Sequence, residues 1–331
     1  MASTAPVIQT ENLTKIYEAR TEWDFAIGKP PKRRHIDATH ALVDLDLSVQ
    51  KGEIFGFLGP NGAGKTTTIR LLLDLIRPTR GGAAILGMDV RRDSVELHRR
   101  IGFMPGELNL WKNLTGLQVV NYVGNVRGTL DMAYVNELAE RFLLDLSKKV
   151  RDYSSGNRRK LGLVISLMHK PELLILDEPT GGLDPLMQQI FYELAREARD
   201  EGRTVFMSSH ILSEVQAICD RVGILREGYL KAVESVSDLT HTEFRYVTLQ
   251  FRETVAASRL DDVPGVSQVE SNGNSLKLRL AGDFDPVLRA VNDHYIVDGQ
   301  TRDPSLEEIF LTFYGNDTAI KADGRKKERV S

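Results

Sequence analysis

Residues 59–67 read GPNGAGKTT, and Gly59, Gly64, Lys65 and Thr66 fall on the pattern G-x-x-x-x-G-K-[ST]. Glycine lets a backbone wrap closely around an anion. A loop of Gly59, Pro60, Asn61, Gly62, Ala63 and Gly64 can therefore turn successive amide N–H groups toward a polyphosphate. A helix beginning near Thr66 and Thr67 adds the positive end of its dipole. Lys65 is placed to reach the β and γ phosphates, and the Thr66 hydroxyl to bind magnesium. A turn of purely structural use has no need of a lysine aimed inward. The four fixed positions arise by chance in about one chain of this length in a hundred.

Such a loop needs acidic partners, and ELLILDEP (172–179) supplies them. Asp177 ends an apolar run, where its carboxylate can hold the metal directly or through water. Glu178 beside it can polarise an attacking water, a role that contributes about 10²- to 10⁴-fold in rate. On their own, two acids at a strand end would be read as a cap on the next helix; the phosphate loop favours the metal and base reading.

The elements that must position these groups are legible in the apolar pattern. EIFGFLG (53–59) and ELLILDE (172–178) are continuous apolar runs of the buried, parallel kind, and RTVFMSSH (203–210) and RRIGFMP (99–105) predict further strands. TTTIRLLLDLIRP (66–78) predicts a helix ending at Pro78, and residues 115–144 are expected to be largely helical. The alternation implies an α/β core with a mainly parallel sheet. EARTEWDFAIGKPPKRRHIDAT (18–39) is expected to be an exposed loop broken by its Pro pair.

After residue 240 the texture changes. FRYVTLQF predicts a strand, RETVAASRL a short helix, GVSQVE with SLKLRLAG a hairpin around Ser271–Asn274, DPVLRAVND a helix and HYIVDG an extended segment. That order suits a small split βαβ sandwich. PSLEEIFLTFYG (304–315) predicts a closing helix, and 316–331 a disordered polar tail.

Composition narrows the class. With 331 residues, 41% hydrophobic, 27% charged and a net charge of -3, the chain is long enough for a large and a small globular domain. The charge argues against binding nucleic acid through a general basic surface. The single cysteine, Cys219, fits a reducing compartment and is expected as a buried small hydrophobe. No stretch reaches the roughly 18 apolar residues of a membrane span, and the start lacks the layout of a signal peptide, so a cytosolic location is expected, with any membrane role through a partner.

On these motifs the sequence resembles the ATP-binding subunit of an ABC transporter over about residues 7–236. The resemblance implies a P-loop NTPase fold of ABC type, a mixed sheet core plus helical subdomain, to which the change of texture after residue 240 adds a small C-terminal α+β domain. The implied domains are 1–239 (insertion 18–39, helical subdomain 105–170), 240–315 and the tail 316–331. It further implies that Tyr17 stacks on adenine, although an ordinary strand-end tyrosine is an open alternative. YSSGN (153–157) corresponds to the signature LSGGQ, keeping Ser154 and Gly156 for a nucleotide held by a second subunit. Asp184, in GGLDP, is implied to communicate across that interface, and His210 to contact the γ phosphate. Catalysis would then rest on Glu178, His210 and Lys65, with ATP and Mg²⁺ as ligands and Thr66 and Asp177 at the metal.

Three departures from the family pattern stand out. Gly106 takes the place of a glutamine, so that role is lost or passes to Glu107; Ser155 and Asn157 alter the signature; Gly181 replaces the commoner serine. MPGELNLWKNLTG, the signature region and PSLEEIFLTFYG are similar to type 2 exporters of drugs, antibiotics, lipids or polymers. The partners so implied are integral membrane permease subunits, which would hold the chain at the cytoplasmic face of the membrane, and a second ATPase subunit, as a homodimer. Leu108, Leu110, Trp111 and Leu114 would lie near the groove for a membrane-subunit helix. The basic stretch 29–35 is either a solvated loop or a contact for anionic lipid. Rival readings are a soluble ATPase of this family acting on nucleic acid, disfavoured by the absence of a coiled-coil insertion or a second ATPase unit, and a non-catalytic nucleotide sensor.

Overall fold

The structure is a computed structural model and describes residues 5–24, 32–128, 130–240 and 244–302. The predicted closing helix 304–315, the tail 316–331 and Lys29 lie outside the described residues, as do the side chains of 32–35. The chain divides into two compact units between Glu234 and Ser235.

The first unit is built on strands whose residues are all buried: Ile54–Leu58, Leu173–Asp177 and Thr204–Ser209. Both faces of such strands need apolar cover, which is why their sequences run without alternation. The sheet order is Tyr229–Ser235, Arg221–Arg226, Ile54–Leu58, Thr204–Ser209, Leu173–Asp177, Ile101–Met104, and the last five are mutually parallel. Phe55 and Phe206 stack across neighbouring strands at 5.9 Å. The register sets Ser209 beside Leu58 and Ser208 beside Asp177. The phosphate loop, Glu178 and His210 therefore all leave the sheet at its carboxyl end, where open α/β sheets place their ligand sites.

A second, antiparallel sheet runs Thr39–Val49, Ile8–Tyr17, Arg80–Ile85, Met88–Asp89. The expected loop 18–39 departs from its reading. Arg20–Asp24 and Lys32–Ile36 pair as an antiparallel ribbon, in a register that runs from Arg20 opposite Ile36 to Asp24 opposite Lys32.

The first helix is Lys65–Leu72 and stops short of Pro78, because Leu73 caps it and Asp74 turns left-handed at φ 54°. In the expected helical region, Gly116–Arg127 starts on a capping box of Thr115 and Gln118, and Met132–Arg141 starts on an Asp131 cap. Ser155–Leu167 follows.

The second unit is an antiparallel sheet ordered Val266–Asn272, Ser275–Ala281, Phe244–Phe251, Ile296–Arg302. This is the strand order of a split βαβ fold. Asp285–Ala290 is helical as expected, but RETVAASRL yields only a 3₁₀ turn, Ala257–Leu260. The segment buries Val255 and Leu260 and is too short to offset helix nucleation. Val247, Leu249, Leu276, Leu278 and Val287 form the core.

Candidate functional site

Two glycines set the shape of the phosphate loop. A Cβ on Gly59 would lie 2.3 Å from the Leu225 carbonyl, and one on Gly64, at φ 110°, would lie 2.4 Å from the Ala41 carbonyl. Only glycine fits either place. The turn delivers Lys65 inward, 5% exposed, where Nζ donates to the carbonyls of Gly59 (2.6 Å) and Pro60 (3.2 Å). Its charge also lies 3.5 Å from Glu178 Oε1. These partners compensate for removing an ammonium from water.

The Thr66 hydroxyl donates to Asp177 Oδ2 at 2.8 Å, and the Ser208 hydroxyl donates to Asp177 Oδ1 at 2.5 Å. Asp177 is buried at 3% exposure, so its direction is fixed by these two bonds. Glu178 turns the other way. Its Oε1 lies 3.2 Å from His210 Nδ1, and its N–H donates to the Ser208 hydroxyl at 3.0 Å. Glu178 holds a left-handed backbone at φ 50°, which costs energy for a non-glycine residue and persists only where surrounding bonds enforce it.

A cavity of about 480 Å³ opens beside this cluster, lined by Thr66, Arg70, Phe103, Gly106, Glu107, Asp177 and Glu178 among others. Glu107 thus shares the cavity with the predicted metal residues. A Cβ on Gly106 would approach Asp177 Oδ2 to 3.2 Å, so glycine leaves that carboxylate room. Hydroxyl and carboxylate oxygens are the hard donors magnesium prefers. Among the described residues no group of three or more His, Cys, Asp or Glu could by itself hold a metal ion.

The remaining predicted residues lie elsewhere. Ser154 is exposed and caps Ser155–Leu167, its hydroxyl oxygen accepting from Asn157 N–H at 3.2 Å. Gly156 sits close to the loop of Asp184, since a Cβ there would come 3.2 Å from the Gly182 carbonyl. Asp184 caps the helix Pro185–Asp200 by accepting from Met187 N–H at 3.0 Å. Among the described residues no hydrogen bond or ion pair links Ser154, Gly156 or Asp184 to residues 59–67. Tyr17 is 42% exposed, with Lys15 Nζ 5.1 Å from its ring, and pairs with Thr39, two residues before the Ala41 that backs Gly64.

The sequence reading missed the supporting groups. Buried Glu214 accepts from the Thr180 hydroxyl (2.5 Å) and the Ser209 hydroxyl (2.6 Å), tying the loop after Glu178 to the end of the strand that precedes His210. Arg159, from the signature helix, donates to the carbonyls of Gly106 and Glu178. The serines of VFMSSH, next to His210, were the one visible signal; nothing in the spacing pointed to Arg159 or Glu214.

A glycine-shaped loop at a helix start, with an inward lysine, a metal-type hydroxyl–carboxylate pair and an adjacent acid at the carboxyl end of a parallel sheet, defines a nucleoside-triphosphate site of the phosphate-loop class. Residues 42–181 match the ABC transporter family. The chain is 34% identical over 321 residues to the bacitracin transport ATP-binding protein of Enterococcus faecalis, covering 93% of this chain and 96% of that one. It is 28% identical over 326 residues to the linearmycin resistance ATP-binding protein of Bacillus subtilis, covering 93% and 98%. The structure of an ATP-binding subunit of an ABC transporter superposes with a TM-score of 0.59 at 27% identity, over 70% of this chain and 91% of that one. A dimeric ATP-binding cassette in a post-hydrolysis state with ADP and Pi shares the fold at a TM-score of 0.56 and 22% identity, over 69% and 98%. The chain belongs to the family of ABC transporter ATP-binding proteins.

Proposed function

We propose that this chain hydrolyses ATP at two composite sites of a head-to-tail homodimer and drives export through separate integral membrane permease subunits. The observation that carries the reading is the division of the site. Lys65, Thr66, Asp177, Glu178 and His210 converge at the carboxyl end of the sheet, while Ser154 heads a helix whose exposed start makes no bond to its own phosphate loop. A helix N-terminus favours an anion, so the partner subunit's nucleotide is its natural occupant.

In this reading residues 59–67 wrap the β and γ phosphates, Lys65 exchanges its carbonyl partners for phosphate oxygens, and Tyr17 stacks on adenine. Thr66 and Asp177 would hold Mg²⁺, which when bound neutralises charge developing on the phosphates. Glu178 orients and deprotonates the attacking water, and His210, 3.2 Å away, holds the carboxylate in line and contacts the γ phosphate. Asp184 sits where a partner subunit would meet the loop.

Export is taken from relatives named for bacitracin transport and linearmycin resistance. Among the described residues no helix is long and apolar enough to cross a membrane, and in this reading the permease holds the chain at the cytoplasmic face. Trp111 and Tyr122, 50% and 52% exposed and in edge contact at 4.9 Å, offer an apolar docking surface.

Subunit mixing tests the composite site. Lys65→Ala and Ser154→Arg chains should each be inactive alone, yet their mixture should regain about a quarter of the wild-type rate, since half the dimers carry one intact site of two. A mixture as silent as its components would sink the head-to-tail arrangement. Absence of turnover in the unaltered protein with its permease would leave it a nucleotide sensor.

A further inference from the structure

We propose that Arg159 is a positioning residue for Glu178, a clamp by which the signature helix fixes the catalytic loop of its own subunit. The inference rests on the reading of Glu178 as the base. Arg159 lies on the helix Ser155–Leu167, five residues after Ser154. Its Nη1 donates to the Gly106 carbonyl at 2.6 Å, and its Nη2 donates to the Glu178 carbonyl. One planar guanidinium therefore joins three segments: the signature helix, the loop after the strand Ile101–Met104, and the loop after Leu173–Asp177.

The backbone of Glu178 supplies the reason for such a clamp. Its left-handed φ of 50° is unfavourable for glutamate, and its carbonyl is held by Arg159 and by Gly181 N–H at 3.3 Å. Releasing the carbonyl frees the backbone to relax and swings the carboxylate away from His210 and the cavity. The guanidinium also explains a departure in the sequence. A Cβ on Gly181 would lie 2.8 Å from Arg159 Nη2, so a serine there and the clamp exclude each other. Burial opposes the charge on Arg159, and the carboxylates of Glu178 and Asp177 sustain it. Lysine cannot substitute, because its one nitrogen lacks the planar fork whose two separate nitrogens reach carbonyls on two different segments.

The test is a double-mutant cycle on the full chain assembled with its permease, read as kcat and KM for MgATP. Arg159→Gln should lower kcat by about tenfold or more, with KM within about twofold, as expected for lost positioning rather than lost binding. Arg159→Lys should not rescue it. Gly181→Ser, which need only displace the end of a flexible side chain, should lower kcat comparably in the wild type and add nothing in the Arg159→Gln background. Unchanged kcat in Arg159→Gln, or effects of the two substitutions that multiply, would overturn the clamp. Glu178→Gln run alongside separates the two readings: if it retains turnover, the base assignment falls and the clamp loses its object.

Discussion

Two helix starts in the first unit are built in opposite ways. At Lys65–Leu72 the chain closes on itself: Gly59 and Gly64 press against the carbonyls of Leu225 and Ala41, Lys65 is held by two carbonyls and Glu178, and Thr66 is held by Asp177. At Ser155–Leu167 the start is exposed, with the Ser154 cap and the nearby Gly182 carbonyl as its local neighbours. A helix start that is preorganised from behind can receive an anion at little reorganisation cost, whereas an exposed one is a surface offered to another molecule. In the proposed composite site the first half is finished within the subunit and the second is completed by assembly.

The largest expected effect falls on the finished half. Glu178→Gln should reduce turnover by about 10²- to 10⁴-fold while leaving ATP binding intact, and an ATP-bound dimer should accumulate in size-exclusion chromatography. Retained turnover would remove Glu178 from the mechanism. Lys65→Ala comes next. Loss of charge-assisted bonds to phosphate should weaken ATP binding to the isolated chain by about 10- to 100-fold in calorimetric titration. Equal affinity for variant and wild type would mean that Lys65 belongs to the loop's own carbonyls rather than to a ligand.

The finished half was also the half legible in the sequence. Gly59, Gly64, Lys65 and Thr66 are sequence neighbours, and Asp177 and Glu178 end an apolar run, so local pattern carried them. Parallel strands advertise themselves as unbroken apolar runs, which made the core readable too. What stayed hidden depended on long-range packing. Arg159 meets Gly106 across 53 positions and Glu214 meets Thr180 across 34, and neither pairing leaves a periodicity to detect. The ribbon Arg20–Asp24 with Lys32–Ile36 was read as a loop because the Pro pair dominated the reading, while its pairing depends on cross-strand register. Helix ends failed for a related reason: Asp74 stops the first helix through a left-handed backbone that aspartate only sometimes adopts.

The far end of the signature helix sharpens the contrast with its exposed start. His169, just beyond Leu167, has Nε2 3.2 Å from the Ile101 carbonyl. Burial, with the nearby Arg127 charge, pushes its pKa down to about 4. The folded pKa is depressed, so the unfolded chain takes up the proton first as pH falls. The stabilisation from holding His169 neutral is therefore complete above about pH 6.5 and lost between there and about pH 4, on the order of 2–3 kcal/mol. Chemical denaturation at pH 7 and pH 5 should show a smaller acid loss in His169→Gln than in wild type; equal losses would mean that this anchor does not titrate.

The smallest effect discriminates most finely, because Ser154 has two separable uses. Its oxygen accepts from Asn157 N–H as a cap, which leaves its proton free to donate. Ser154→Ala removes both uses and should cost about 1 kcal/mol of stability. Ser154→Asp keeps a capping oxygen but replaces the donor with a negative charge. If Ser154 only caps its helix, the aspartate variant should match wild type in both stability and turnover, and alanine should be the worse of the two. If the exposed start faces the partner subunit's triphosphate, the order inverts for turnover alone. The aspartate variant then unfolds later than the alanine variant yet hydrolyses ATP more slowly, since its charge repels the phosphate that the helix dipole attracts. Thermal unfolding and steady-state hydrolysis on the same two preparations decide between these orders.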